Sequence, residues 1–204
     1  MIHGYHVIFG AYGFWLPNDP RGSWSDFVGK WELVRFGRST KSISRRELTP
    51  EEELERQQAK QSLKHPAVQF TGKQARVIGN AFGQFASKSN YTIWACSILP
   101  EHVHLVIARH HYKVESMVNL LKGVATSELV DENTHPLALH ADLGKRPPKM
   151  WARRLWKVYL DSEQAIANAI QYVEENPVKE GKPLQRWAFV SPFRGLDPGH
   201  VVYH

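Results

Sequence analysis

The stretch from Tyr91 to Ala108 constrains the fold more than any other part of the chain. YTIWACSIL and HVHLVIA are apolar, β-prone runs separated only by Pro100 and Glu101. So short a connection leaves an antiparallel hairpin as the natural reading. A hairpin is at best marginal alone in water, so its apolar face needs a cover. The flanking segments supply one. Ala75, Ile78, Phe82 and Phe85 recur at helical spacing over residues 72–88, and Met117, Val118, Leu121, Val124 and Ala125 do so over residues 114–129.

Residues 5–12 read as a first strand and residues 151–160 as a fourth. Residues 161–175 read as a further helix with the stripe Ile166, Ala169, Ile170 and Val173, which Pro177 is expected to stop. The order strand, helix, strand, strand, helix, strand, helix resembles an α+β, ferredoxin-like split β-α-β sandwich. Its antiparallel sheet would carry helices on one face, with an extra C-terminal helix. The chain reads as one domain, 1–204, in which 13–71 looks like an insertion after the first strand. Thr49 and Glu52 there begin a polar helix with a capping box.

Composition narrows the class. The single cysteine, Cys96, rules out an intramolecular disulfide framework and a cysteine zinc cage. No segment reaches the roughly 18 uncharged apolar residues of a membrane span, so a soluble, cytoplasmic protein with no membrane partner is expected. The net charge of +6 and a pI near 9.4 fit an anionic partner.

In EHVHLVIA the strand period of two puts His102 and His104 on one face while Val103, Leu105 and Ile107 point to the other. Two neighbouring imidazoles can hold a divalent ion and leave positions open to a phosphate and water. Two solvated strand histidines are the plain alternative. A histidine-triad hydrolase would need a third histidine at position 106, which is Val. Tyr172 and Asn176 lie four residues apart and so stack along one edge of the last helix. Separately they read as an edge aromatic and a helix-end asparagine. Together with the histidines they suggest three ligands beside a phenol that could attack what the metal polarises.

At these residues the chain resembles the HUH single-tyrosine transposases, and within them the REP-associated tyrosine transposases. The resemblance is carried by LPEHVHLVI, LLKGVATSEL and WKVYLDSEQAIANAIQYVEENPVKEG. It implies His102, His104 and Asn176 as ligands of Mg²⁺ or Mn²⁺ and Tyr172 as nucleophile. It further implies cleavage and rejoining of single-stranded DNA, at hairpin-containing sites, through a 5′-phosphotyrosine, and it leaves room for a homodimer. The group that deprotonates Tyr172 is open among the metal, a bound water and Glu175.

Candidate DNA contacts are Lys145, Arg146, Lys149, Trp151, Arg153 and Arg154 in KRPPKMWARRLWK, where cations could meet phosphates and indoles could stack on bases. A second group, Arg35, Arg38, Lys41, Arg45 and Arg46, lies in the insertion near Trp15, Trp24 and Trp31. Arg186, Trp187 and Arg194 repeat the pattern near the C-terminus. The competing class is a non-catalytic ferredoxin-like module that binds nucleic acid by charge and stacking alone.

Overall fold

The structure, a computed structural model, describes residues 1–14, 16 and 49–196. Four strands, β1 (Gly4–Ala11), β2 (Ile93–Ile98), β3 (His102–Ala108) and β4 (Trp151–Leu160), form one sheet in the order β2-β3-β1-β4. Every neighbouring pair is antiparallel. β1 and β2 therefore flank β3, and β3 and β4 flank β1, giving the two interleaved split β-α-β units of the expected α+β sandwich.

Helix α1 (Pro50–Gln61) precedes α2 (Gly72–Lys88), and α3 (Val114–Asp131) joins β3 to β4. Both α1 and α2 start at capping boxes, Thr49 with Glu52 and Thr71 with Gln74, in which each side chain bonds the other residue's backbone N–H. Alternation along the strands sends Val7, Phe9, Val103, Leu105, Ile107 and Ile98 to one face. There they meet Ile78 and Phe82 of α2 and Met117, Val118, Leu121 and Ala125 of α3. The opposite face is covered by α4 (Glu163–Lys179), whose Ile166, Ala169 and Val173 pack on Ala95, Val106 and Leu160.

Pro177 does not stop α4; it lies inside the helix. A proline needs the preceding turn to forgo one hydrogen bond, which is tolerable so close to a helix end. The actual stop is Gly181 at φ +67, where Gly181 N–H donates to Val178 O and Lys182 N–H donates to Pro177 O. That pair of bonds is a Schellman ending. Asn176 therefore sits within the helix rather than at its boundary.

After α4 the chain returns along the β2 edge. The Gln185 amide brackets Ile98, accepting its N–H at 2.8 Å and donating to its carbonyl at 2.7 Å. Ser191 N–H donates to Ile93 O. Trp187 seats on α2 at Gly79, and Phe189 seats at Gly83. Farther along, Phe193 and Leu196 join the core under α4, and the Glu163 carboxylate accepts Leu196 N–H. A Cβ at Gly79 would lie 2.6 Å from Trp187 Cε3, closer than packed carbons approach. Gly79→Ala is thus expected to lower stability by roughly 1–3 kcal/mol despite the better helix propensity of alanine. Chemical denaturation followed by tryptophan fluorescence measures this, and a stabilised variant would show that Trp187 is not seated there.

Lys122 of α3 is buried, with Nζ donating to Ala152 O at 3.0 Å and lying over the Phe9 ring. Burial pushes its ammonium down to about 8. The folded chain therefore binds this proton less tightly than the unfolded chain does. Stability rises as pH climbs from about 8 toward the unfolded value near 10.5, and below 8 the full penalty of the buried charge persists. The free energy of unfolding of the native chain minus that of Lys122→Met is expected to grow by about 3 kcal/mol between roughly pH 7 and 10.5. Urea titrations of both proteins across that range check it; a difference independent of pH would contradict the burial argument.

Among the described residues no helix is long and apolar enough to cross a membrane.

Candidate active site

The residues on the α4 side of the sheet follow from strand parity. Val103, Leu105 and Ile107 belong to the main core, so His102, His104 and Val106 must face α4. In β1 the same logic turns His6 toward α4, because Val7 and Phe9 face the other way. The register pairs His6 with Val106 and Ile8 with His104, which sets His6 and His104 diagonally across the two strands. Their rings lie side by side and nearly parallel, 5.4 Å between centroids and 26° apart, with Nε2 of His6 3.1 Å from Nδ1 of His104.

All three imidazoles are buried, at 7% exposure or less. His102 and His104 sit 4.8 Å apart by ring centroid. Phe14 stacks on His102 at 4.5 Å, and the Glu180 carboxylate lies 3.8 Å from His102 Nε2. Burial pushes His6 down to about 4. Burial, then the neighbouring His102 and His6, hold His104 well below the ordinary histidine range. His6 and His104 are therefore neutral at physiological pH, the form in which an imidazole ligates a metal.

Helix α4 brings the other two residues. Asn176 is on its buried stripe, one turn beyond Val173, and 3% exposed. Its Nδ2 has no hydrogen-bond partner among the described residues. Tyr172 is at the edge of that stripe and 43% exposed, with its ring 5.7 Å from His104 and 5.6 Å from His6. The ammonium of Lys179 lies 5.5 Å from the Tyr172 ring centroid. A phenol thus stands between solvent and a cluster of buried imidazoles.

The fold brings Tyr172 against His104, which precedes it by 68 residues, and His104 against His102, while Asn176 follows Tyr172 by one turn on the buried stripe of α4. Among the described residues no three histidine, cysteine, aspartate or glutamate side chains are arranged to hold a metal ion. A third protein ligand beside His102 and His104 would therefore come from another residue type, such as a carboxamide. The donor set fits: the imidazoles of His102 and His104 plus the buried carboxamide of Asn176, whose nitrogen the described residues leave unbonded.

Other expectations fare differently. Glu175 is a poor base for Tyr172: it is held by Lys179 at 2.8 Å and by Gln171 at 2.7 Å, and these bonds lower its proton affinity. Trp151 offers little to a nucleic-acid base, because its ring packs on Phe9 and Phe70 and its Nε1–H donates to Lys122 O. Trp187 is likewise taken up by α2. Lys145, Arg146, Lys149, Arg153 and Arg154 lie at the surface, the last two on the sheet-edge strand β4. Arg35, Arg38, Lys41, Arg45 and Arg46 lie outside the described residues, as do Trp15, Trp24 and Trp31.

Sequence reasoning missed His6 and Glu180. Alternation within β1 was enough to put His6 on the non-core face, but nothing local reveals that β1 neighbours β3. Glu180 belongs to a turn of helix that Pro177 was expected to prevent.

The sequence pattern of the family described as "Transposase IS200 like" matches residues 62–176, from the end of α1 through Asn176. The chain belongs to this family of transposases. No curated protein matches it. Among solved structures, the chain is similar to a REP-associated tyrosine transposase bound to a REP hairpin, at 13% identity and a TM-score of 0.46, over 97% of this chain and 93% of that one. It is also similar to a Deinococcus radiodurans protein assigned as a transposase, at 13% identity and a TM-score of 0.44, over 84% and 88% of the two chains.

Proposed function

We propose that this transposase cuts and rejoins single-stranded DNA at hairpin-containing sites, in the cytoplasm, with Tyr172 as nucleophile and a divalent ion, Mg²⁺ or Mn²⁺, held by His102, His104 and Asn176. The observation that carries the reading is the position of the Tyr172 ring, at the mouth of the site and beside His104, with Asn176 one helical turn deeper. Bound to these residues, the ion would supply withdrawal of charge from a scissile phosphate. The Tyr172 oxygen attacks phosphorus and the 3′ oxygen leaves, so the protein becomes linked to the 5′ phosphate and the upstream strand ends in a 3′-hydroxyl. Attack of a 3′-hydroxyl on that linkage returns the phenol and rejoins the strand. The number of phosphodiester bonds is unchanged and no nucleotide triphosphate is needed. The surface cations Lys145, Arg146, Lys149, Arg153 and Arg154 would meet the DNA backbone.

The test follows which end of the DNA stays with the protein. Hairpin-bearing single strands labelled at either end are incubated with protein and Mn²⁺ and resolved under denaturing conditions. The 3′ label should migrate with the protein, and the 5′ label should leave on a shorter strand that a polymerase can extend. A covalent band carrying the 5′ label would reverse the proposed polarity. Tight binding with no covalent band across a broad hairpin library would favour the non-catalytic binding module.

A further inference from the structure

We propose that His6 is a positioning residue for the metal site, holding His104 in the tautomer whose Nε2 is free to ligate. This rests on the assignment of His104 as a ligand made above. The two nitrogens 3.1 Å apart, Nε2 of His6 and Nδ1 of His104, can form a hydrogen bond only if one proton lies between them. If His6 owns that proton, His104 carries its own on Nε2 and cannot bind a metal through it. If His104 owns it, Nε2 of His104 is bare and faces away from the bond. Ligation through Nε2 therefore requires His6 to accept from His104, and His6 then bears its proton on Nδ1.

The surroundings of His6 suit a fixed acceptor. It lies on β1, flanked by β3 and β4, where the backbone is paired on both sides. Trp156 meets its ring edge-on at 5.8 Å, His104 lies alongside it at 5.4 Å, and Tyr172 leans on it at 5.6 Å. A ring boxed by three others cannot turn to offer its second nitrogen without disturbing them. One side chain thereby touches both the ligand and the nucleophile, so its placement sets their relative orientation. Such outer partners of ligating histidines commonly change metal affinity by about 10- to 100-fold when removed.

Two variants separate acceptance of the proton from packing. His6→Gln can offer a carboxamide oxygen to His104 Nδ1–H, whereas His6→Phe fills the space but cannot accept. Mn²⁺ binding, read without DNA by electron paramagnetic resonance of the free ion, is expected to weaken about 10- to 100-fold in His6→Phe and to stay within about threefold in His6→Gln. Long-range ¹H–¹⁵N spectra of the metal-free protein should show His104 protonated on Nδ1 in the native chain. His104→Ala is the control, and it should lose Mn²⁺ binding. If the native chain does not bind Mn²⁺, or His104→Ala still binds it, the metal assignment falls and this proposal with it. If the control behaves as expected but His6→Phe binds as the native chain does, His6 is a packing residue and only the positioning role is overturned. The same holds if native His104 is protonated on Nε2, a reading that needs no variant to fold.

Discussion

Tyr172→Phe is expected to abolish the covalent protein–DNA band while leaving DNA affinity within about threefold of the native chain. The change removes one oxygen from a residue at the mouth of the site, and the ring keeps its contacts with His6, His104 and the Lys179 ammonium. Its consequence for folding should be small, because Tyr172 is 43% exposed and α4 remains anchored to the sheet through the buried Ile166, Ala169 and Val173. Loss of the attacking atom removes the route altogether, so strand cleavage should fall by on the order of 10⁴-fold or more. Denaturing gels with labelled hairpin DNA, alongside a binding titration on the same preparations, measure both quantities. Cleavage that survives the substitution would assign the attack to water or to another residue.

His102→Ala is expected to remove the stimulation of cleavage by divalent ions, a loss of about 10³-fold at saturating Mn²⁺. The expectation follows from the proposed ligand set of two imidazoles and one carboxamide, in which no donor is redundant. Because His102 is buried and stacked on Phe14, its truncation also leaves a small void, and stability should fall by roughly 1–2 kcal/mol. Activity is therefore compared well below the melting temperature of the variant, with circular dichroism confirming the fold. A variant that cleaves at the native rate and still responds to Mn²⁺ would sink the metal assignment.

Much of this was legible from residue order because the decisive signals are local. The Pro100-Glu101 turn, the alternation in β3, and the helical stripe from Ala75 to Phe85 each act within a few residues, and they locate the hairpin, His102 and His104, and α2. Tyr172 and Asn176 were readable for the same reason, since four residues of helix bring them together. What stayed hidden depends on contacts across the chain. The pairing of β1 with β3 decides that His6 meets His104, and the seating of Trp187 on Gly79 decides that this indole is structural. The packing of Trp151 was hidden as well, because an indole among cations in sequence can still lie against the core once the strand is paired. Pro177 misled because its cost falls on a single bond near a helix end, while Gly181 does the stopping.

The candidate site gathers residue 6 from the central strand, residues 102 and 104 from its neighbour, and residues 172 and 176 from the helix laid across them. A polypeptide still being synthesised passes through a long stage in which the histidines exist and the tyrosine does not. For most of that stage β1 also lacks β4, the partner that completes its pairing. Nascent chains and products of premature termination before residue 172 would thus carry the imidazoles proposed as metal ligands without the proposed means to break a strand. With Tyr172 as nucleophile, the genome that encodes the protein is exposed to its chemistry only from chains that have reached the last helix.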